Sequence, residues 1–302
     1  MKIIIDEQYE GDRIDSCLAD VCQELSRSKI QKLIKNGVCV LNSASVKPSQ
    51  ILKVGDVIEL DDSFKESKVE ILAENIGLEV IWEDENMAVI NKPSGMITHP
   101  TNIELSGSLV NALLFKYGDN LSNINGDMRR GIVHRLDRNT SGLIMIAKNN
   151  ETHEFLVNEM KNHNFVKKYR AVVRGVVEKD EFEISTPIGR HITQPHKMSV
   201  NGKDAKESLT LVKVVERYKD ATLLELTLIT GRTHQIRVHL SSIGHPVYND
   251  TLYGFGKMKI KTEEQVLQSY MLEFTKPFSD KRVLLEIKPD EKLQKVLSYL
   301  KS

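Results

Sequence analysis

Apolar side chains return with helical spacing over residues 12–24, where Ile14, Cys17, Leu18, Val21 and Cys22 share a face that Leu25 continues. Ser26 then has the chemistry of an N-cap, and a second helix is predicted over 27–36, closed by Gly37 and buried through Ile30, Leu33 and Ile34. Val38-Cys39-Val40-Leu41 and, after the Gly55-Asp56 turn, Val57-Ile58-Glu59-Leu60 read as short strands. Polar and charged residues without apolar periodicity follow, so a linker is expected at 63–74. Beyond it the texture is richer in strands. Val80-Ile81-Trp82 and Met87-Ala88-Val89-Ile90 bracket an acidic turn and predict a hairpin. Further strands are expected at 169–173, 221–228 and about 281–288, and helices at about 107–117, 151–162, 233–243 and 290–300. Strands and helices mix without a regular βαβ rhythm, which predicts an α+β fold with a mixed, largely antiparallel sheet.

One stretch stands apart. His134-Arg135-Leu136-Asp137-Arg138-Asn139-Thr140-Ser141-Gly142-Leu143 sets a carboxylate among basic residues and then turns tightly. Apolar runs at 131–133 and 143–147 flank it, so strand, exposed loop, strand is expected, a rigid mount for a reactive group. For an arbitrary Asp, a surface ion pair would be explanation enough.

Composition narrows the possibilities. The 302 residues are 40% hydrophobic and 28% charged, ordinary for a globular protein. Formal net charge is zero, so any basic surface must be local. Cys17, Cys22 and Cys39 fit no zinc spacing and read as small buried residues in a reducing compartment. No apolar run approaches the roughly 18 residues of a membrane span. The N-terminus turns acidic at once and lacks a signal-peptide core, so a cytoplasmic protein is expected. Walker-type and Rossmann glycine patterns are missing, as are His-x-x-x-His and Cys-x-x-Cys pairs, so neither metal nor cofactor is expected. In the second predicted helix Lys29, Lys32 and Lys35 recur every three residues with Arg27 nearby, a stripe that solvation alone would explain.

The ten-residue string at 134–143 resembles the signature of the RluA-type pseudouridine synthases. Four further segments agree with the same family in the same order: Asn91-Lys92-Pro93-Ser94-Gly95-Met96, Lys167-Lys168-Tyr169-Arg170-Ala171, Pro187-Ile188-Gly189-Arg190, and Gly231-Arg232-Thr233-His234-Gln235-Ile236-Arg237-Val238-His239-Leu240. The resemblance implies conversion of uridine to pseudouridine within RNA, an isomerisation without a redox step. It implies Asp137 as the catalytic residue, Arg237 as its partner, Tyr169 as the surface on which uracil stacks, and Arg135 as the side chain that holds the space vacated by the flipped base. His134, His234 and His239 look like supports of the fold in these motifs. Three departures from the pattern occur: Asn139 stands where an acid is commoner, Asn249 where Gly is usual, and Arg170 where an apolar residue is usual. Strand alternation turns Arg170 away from the pocket, and Asn tolerates a left-handed backbone.

Residues 1–62 resemble an S4-type RNA-binding domain, through Leu25-Ser26-Arg27-Ser28-Lys29-Ile30-Gln31-Lys32-Leu33-Ile34 and the segments that follow. That likeness implies phosphate contacts by Arg27, Lys29, Lys32 and Lys35, giving affinity without sequence readout. The expected organisation is therefore an S4-type domain at 1–62, a linker at 63–74 and a catalytic domain at 75–302. The two-domain arrangement resembles the branch acting on large-subunit (23S) ribosomal RNA, and a monomer with RNA as its partner is expected. Transfer RNA as substrate, a non-catalytic ribosome-assembly factor on this scaffold, and a glycosidase that releases the base are the alternatives.

Overall fold

The computed structural model describes residues 1–22, 25, 27–61, 70–255, 260, 262 and 264–302. The expected cap Ser26, and residues 63–69 of the expected linker, lie outside the described residues. The chain divides into two compact units, Met1–Val69 and Glu70–Ser302.

The first unit contains β1 (Lys2–Ile4), α1 (Ile14–Val21), α2 (Arg27–Lys35), β2 (Cys39–Leu41), β3 (Ala44–Ser45) and β4 (Val57–Leu60). Its strands form an antiparallel sheet in the order β1-β4-β2-β3. Helix α1 starts two residues later than its periodicity suggests. The backbone of residues 11–14 is committed elsewhere: Gly11 donates to Leu52, Leu52 to Asp12, and Ile14 to Gln50. Ile14, Cys17 and Leu18 of α1 meet Ile30 and Ile34 of α2 over Cys39, Leu41 and Ile58. Burial pushes the Cys17 and Cys39 thiols up to about 11, so both act as small apolar residues. Gly37, at φ +74°, ends α2: its amide donates to Ile34, and that of Val38 reaches back to Leu33. This paired closure needs the left-handed position that Gly occupies without penalty.

A buried carboxylate clasps the two helices. Asp15 accepts from Arg13 Nε and Nη2 (3.0 and 2.9 Å), Arg27 Nη2 (3.0 Å) and Gln31 Nε2 (2.6 Å). The Arg13 bonds, joined by those of Arg27 and Gln31, outweigh burial and hold it well below the usual carboxylate range. Arg27 is therefore partly committed to the fold, with about half its side chain exposed (51%). Lys29 is half-buried, while Lys32 and Lys35 are exposed.

The second unit runs β5 (Glu79–Glu83), β6 (Met87–Lys92), α3 (Leu109–Tyr117), β7 (Ser141–Ala147), α4 (Asn150–Lys161), β8 (Val166–Arg174), β9 (Glu181–Ile184), β10 (Ile188–Arg190), β11 (Met198–Val200), β12 (Lys203–Lys206), β13 (Thr210–Arg217), β14 (Ala221–Leu228), α5 (Gln235–Ser242), β15 (Leu267–Thr275), β16 (Arg282–Glu286) and α6 (Glu291–Lys301). Among the described residues a nine-stranded sheet follows the order β5-β6-β7-β15-β8-β14-β13-β9, with β16 also on β15. Its pairings are antiparallel except β7 with β15. A separate three-stranded sheet has the order β11-β10-β12.

Both faces of the large sheet are covered. Ala88 and Ile90 of β6 pack with Leu109, Leu113, Ile236 and Leu240 from α3 and α5. The alternate residues Met87 and Val89 pack with Leu156 of α4 and Phe274. All seven residues of β7 are buried, which is why its run reads as continuously apolar. Residues 70–74 belong to this unit and are not a linker. Leu72 O accepts from Asn111 Nδ2 (2.8 Å), and Glu74 donates to Asn111 O (3.0 Å).

Candidate active site

The segment before β7 departs from the strand, loop, strand expectation. Residues 131–133 make only an isolated bridge, Ile132 to Ile146. The reason is His134, whose Nε2 accepts the Met145 amide at 3.0 Å and so takes the place of a further backbone pair. Burial pulls this imidazole down to about 3, with the Lys167 charge assisting, so it stays neutral.

The loop carrying Asp137 is fastened at several points. Thr98 Oγ1 donates to Leu136 O (2.7 Å) and receives the Leu136 amide (3.3 Å). The Thr140 amide closes the turn onto Asp137 O (3.1 Å), and Gln265 Nε2 holds Thr140 Oγ1 (3.0 Å). Lys92 is completely buried, and its ammonium donates to Pro93 O, Met96 O and Arg138 O at 2.8, 2.8 and 3.0 Å. Burial lowers it to about 7, against the opposing pull of the Glu264 and Asp137 charges. Gly142 pairs with Ser269 at φ +114°, and a Cβ there would lie 2.0 Å from Ser269 O. Only glycine lets β7 approach β15 at this point.

Helix α5 supplies the opposing charge. Gln235 Oε1 accepts the Arg232 amide (2.9 Å) and the Thr230 hydroxyl (2.8 Å), fixing the turn that begins the helix. Arg237, 7% exposed, points Nη1 at Asp137 Oδ2 (3.0 Å). Its remaining fork binds Asp250 through Nε–Oδ2 (2.7 Å) and Nη2–Oδ1 (3.0 Å). Burial works against Arg237, but Asp250 foremost and then Asp137 raise it far above its ordinary value. The Tyr253 ring lies 5.0 Å from its guanidinium carbon. Asn249, at φ +57°, adopts the left-handed turn before Asp250 that its type permits.

Asp137, Arg237, Tyr169 and Arg135 all line one cleft of about 640 Å³, within the usual range for small-molecule sites. Tyr169, 5% exposed, comes from β8, opposite Leu226 and Ser269. Burial keeps its phenol neutral by raising it. Arg170, next along the strand, points the other way and stacks its guanidinium 3.7 Å from the Tyr270 ring centre. Arg135 is exposed at the rim, 3.3 Å from His99 Nε2. Among the described residues the cleft is lined by five Lys or Arg (Arg135, Lys161, Lys167, Arg232, Arg237) against Asp137 and Glu207. A chain of zero net charge thus carries a locally basic cleft, suited to a polyanion.

Of the three histidines, His134 supports the loop, and His239 is buried among Ser208, Thr210 Oγ1 (2.9 Å) and Thr186 O (3.0 Å). His234 differs, because its Nε2 faces Asp137 Oδ1 at 3.9 Å. Sequence reasoning gave no role to Asp250, Lys92 or Tyr253. Lys92 closes a buried apolar strand and stands in the family-like segment at 91–96, but neither feature says what its ammonium binds. Asp250 follows Asn249 in a turn, and nothing local marks its carboxylate as a partner for α5.

Residues 86–242 match the family described as RNA pseudouridylate synthase. An RNA pseudouridine synthase of Bacillus subtilis is 40% identical over 99% of this chain and 97% of its own length. A protein of Zymomonas mobilis named ribosomal large subunit pseudouridine synthase D is 34% identical over 99% of this chain and 97% of its own. The solved structure of human RNA pseudouridylate synthase domain containing 1 superposes with a TM-score of 0.57 at 23% identity, over 76% of this chain and 97% of that one, a likeness of fold.

Proposed function

The chain belongs to the RNA pseudouridylate synthase family, and from that premise we propose that Asp137 is the carboxylate that carries its uridine-to-pseudouridine isomerisation, on large-subunit ribosomal RNA. The reaction breaks the bond from uracil N1 to the ribose and makes one from C5 to the same carbon. C5 gives up its hydrogen and N1 takes one, so nothing is oxidised and no fragment leaves. The protein must hold the base, keep a carboxylate ionised beside it and allow the ring to turn. The observation that carries this reading is the 3.0 Å pair of Arg237 with Asp137 on the wall of a basic cleft that also contains Tyr169. A buried cation offsets the cost of keeping a carboxylate charged against a bound base, and the Arg fork retains that charge throughout.

Removing uridine from its stack costs a few kcal/mol. Arg135, exposed at the rim, is placed to occupy the gap. Tyr169 offers its ring to the uracil face. Stacking of this kind contributes about 1–3 kcal/mol per base. Tyr169→Phe should therefore stay close to wild type, while Tyr169→Ala should lose roughly ten- to a hundredfold in kcat/KM. Equal, mild effects in a single-turnover assay would rule out the stack.

The name of the Zymomonas relative, matched over nearly its whole length, supports large-subunit RNA as the substrate. The test is a pseudouridine map of total RNA from cells with and without this chain. Sites lost from large-subunit RNA are expected. Sites lost only from transfer RNA would reassign the substrate.

The first unit is proposed to be an S4-type RNA-binding domain. The exposed Lys32 and Lys35 support that reading, with Arg27 lending only the half of its side chain not held at Asp15. Phosphate contacts release counterions, so each one lost lowers the slope of log K against log salt by about 0.7–0.9. Lys32→Ala with Lys35→Ala in the full chain should flatten that slope by between one and two while sparing the saturating rate. An unchanged slope would mean the stripe is only solvated.

A further inference from the structure

Tyr253 Oη lies between two nitrogens, the backbone amide of Met198 in β11 at 2.9 Å and His234 Nδ1 at 2.7 Å. An amide can only donate, so the hydroxyl accepts from Met198 and has one proton left to give. Among the described residues Nδ1 is the acceptor in reach. An imidazole that accepts at Nδ1 is neutral and carries its proton on Nε2. Burial favours the same neutral form, aided by the charges of Arg237 and Arg135 and opposed by those of Asp137 and Asp250.

Among the described residues no hydrogen bond takes up the proton on Nε2. Asp137 Oδ1 is 3.9 Å away, beyond hydrogen-bond reach. His234 lines both the main cleft and a smaller cavity of about 230 Å³ that Asp137 also lines. It also holds φ +56° at the N-terminus of α5, where its side chain caps nothing. A left-handed, non-glycine residue is strained and persists where its surroundings over-determine it. Here the Tyr253 bond and an edge-on ring contact at 5.5 Å fix the imidazole.

We propose that His234 is a second substrate-facing group, which donates its Nε2 proton as a hydrogen bond to an acceptor oxygen of the nucleotide bound at Asp137. Tyr253, itself anchored by β11, is then a positioning residue that selects the tautomer. The role holds only if Asp137 is the reacting carboxylate. A neutral donor suits this place. An imidazolium would pair with Asp137 and compete with the substrate for it, whereas a neutral N–H leaves the carboxylate to Arg237 and stabilises charge on the nucleotide.

The experiment compares His234→Gln with His234→Met in the full chain. The two side chains have similar length and meet the same backbone cost, but only Gln retains an N–H donor. Loss of one such donor typically costs about 10²–10³ in rate. His234→Met should lower kcat by roughly 10²-fold with RNA affinity nearly unchanged, and His234→Gln should recover at least about tenfold of that. In ¹⁵N-histidine spectra the wild type should show the Nε2-protonated tautomer, and Tyr253→Phe should weaken that preference. Equal rates for the Gln and Met variants, whether high or low, would overturn the role, as would an Nδ1-protonated wild type. Asp137→Asn measured alongside separates the two failures: if it is inactive, only the His234 role falls, and if it is active the reading of the whole site falls.

Discussion

Asp137→Asn should give a folded protein that binds RNA and makes no pseudouridine. Asn has nearly the shape of Asp, and its side-chain oxygen can still accept from Arg237. Arg237 keeps its two bonds to Asp250 in the variant, so no cation is stranded. The loop is held by Thr98, Lys92 and Gln265, none of which bonds the Asp137 carboxylate. Thermal stability should therefore change little. What disappears is the negative charge and its lone pairs, and an amide can act neither as nucleophile nor as base in this reaction. A loss of roughly 10⁴-fold or more in single-turnover rate is expected, about 5 kcal/mol or more of transition-state stabilisation. Binding measured by titration with the same RNA should remain within a few-fold. Substantial pseudouridine formed by the purified variant would remove Asp137 from the chemistry. Release of free uracil by the wild type would instead point to a glycosidase.

Much of this site was legible because its chemistry is local in sequence. Asp137 and Arg135 stand in one ten-residue string, Arg237 in another, and each string carries its own turn residues. The large sheet was legible where a strand is buried on both faces, as in β7, or alternates, as in the second half of β14. What could not be read is what depends on distant partners. The strand expected at 131–133 is displaced by a side chain, His134, occupying the Met145 amide. Strand β15 joins β7 in the one parallel pairing described, at a separation of over 120 residues, which no local pattern announces. Lys92 resembles any surface lysine until the fold closes three carbonyls around it. Asp250 resembles a turn residue until α5 brings Arg237 against it. His234 was grouped with two histidines that do support the fold, because a sequence motif does not say which ring nitrogen faces which neighbour.

That hidden carboxylate changes what Arg237→Met should do. Read from sequence, the arginine serves Asp137 alone, and its loss should cost activity. In the structure it binds two carboxylates, and the Asp250 side chain has no exposed surface. Burial pushes Asp250 up, but Arg237 overcomes this and holds it below its ordinary value. Removing the arginine leaves a buried, uncompensated charge, a loss of about 3–5 kcal/mol. The sign with pH follows. A carboxylate held low contributes stability above its unfolded pKa, and that contribution is lost as pH falls through the folded value. The variant lacks it, so the stability gap should be widest at neutral pH and narrow on acidification. Catalysis should suffer separately. Without the Nη1 bond the Asp137 carboxylate loses the partner that orients it, so the single-turnover rate should fall strongly. Arg237→Lys keeps a charge but not the fork that serves both partners, and it should fall between wild type and Met on both measures. Urea unfolding at two pH values, with single-turnover rates on the folded fraction, distinguishes the two losses. A variant as stable as wild type with an undiminished single-turnover rate would show that the Arg237 pairs do not govern this site.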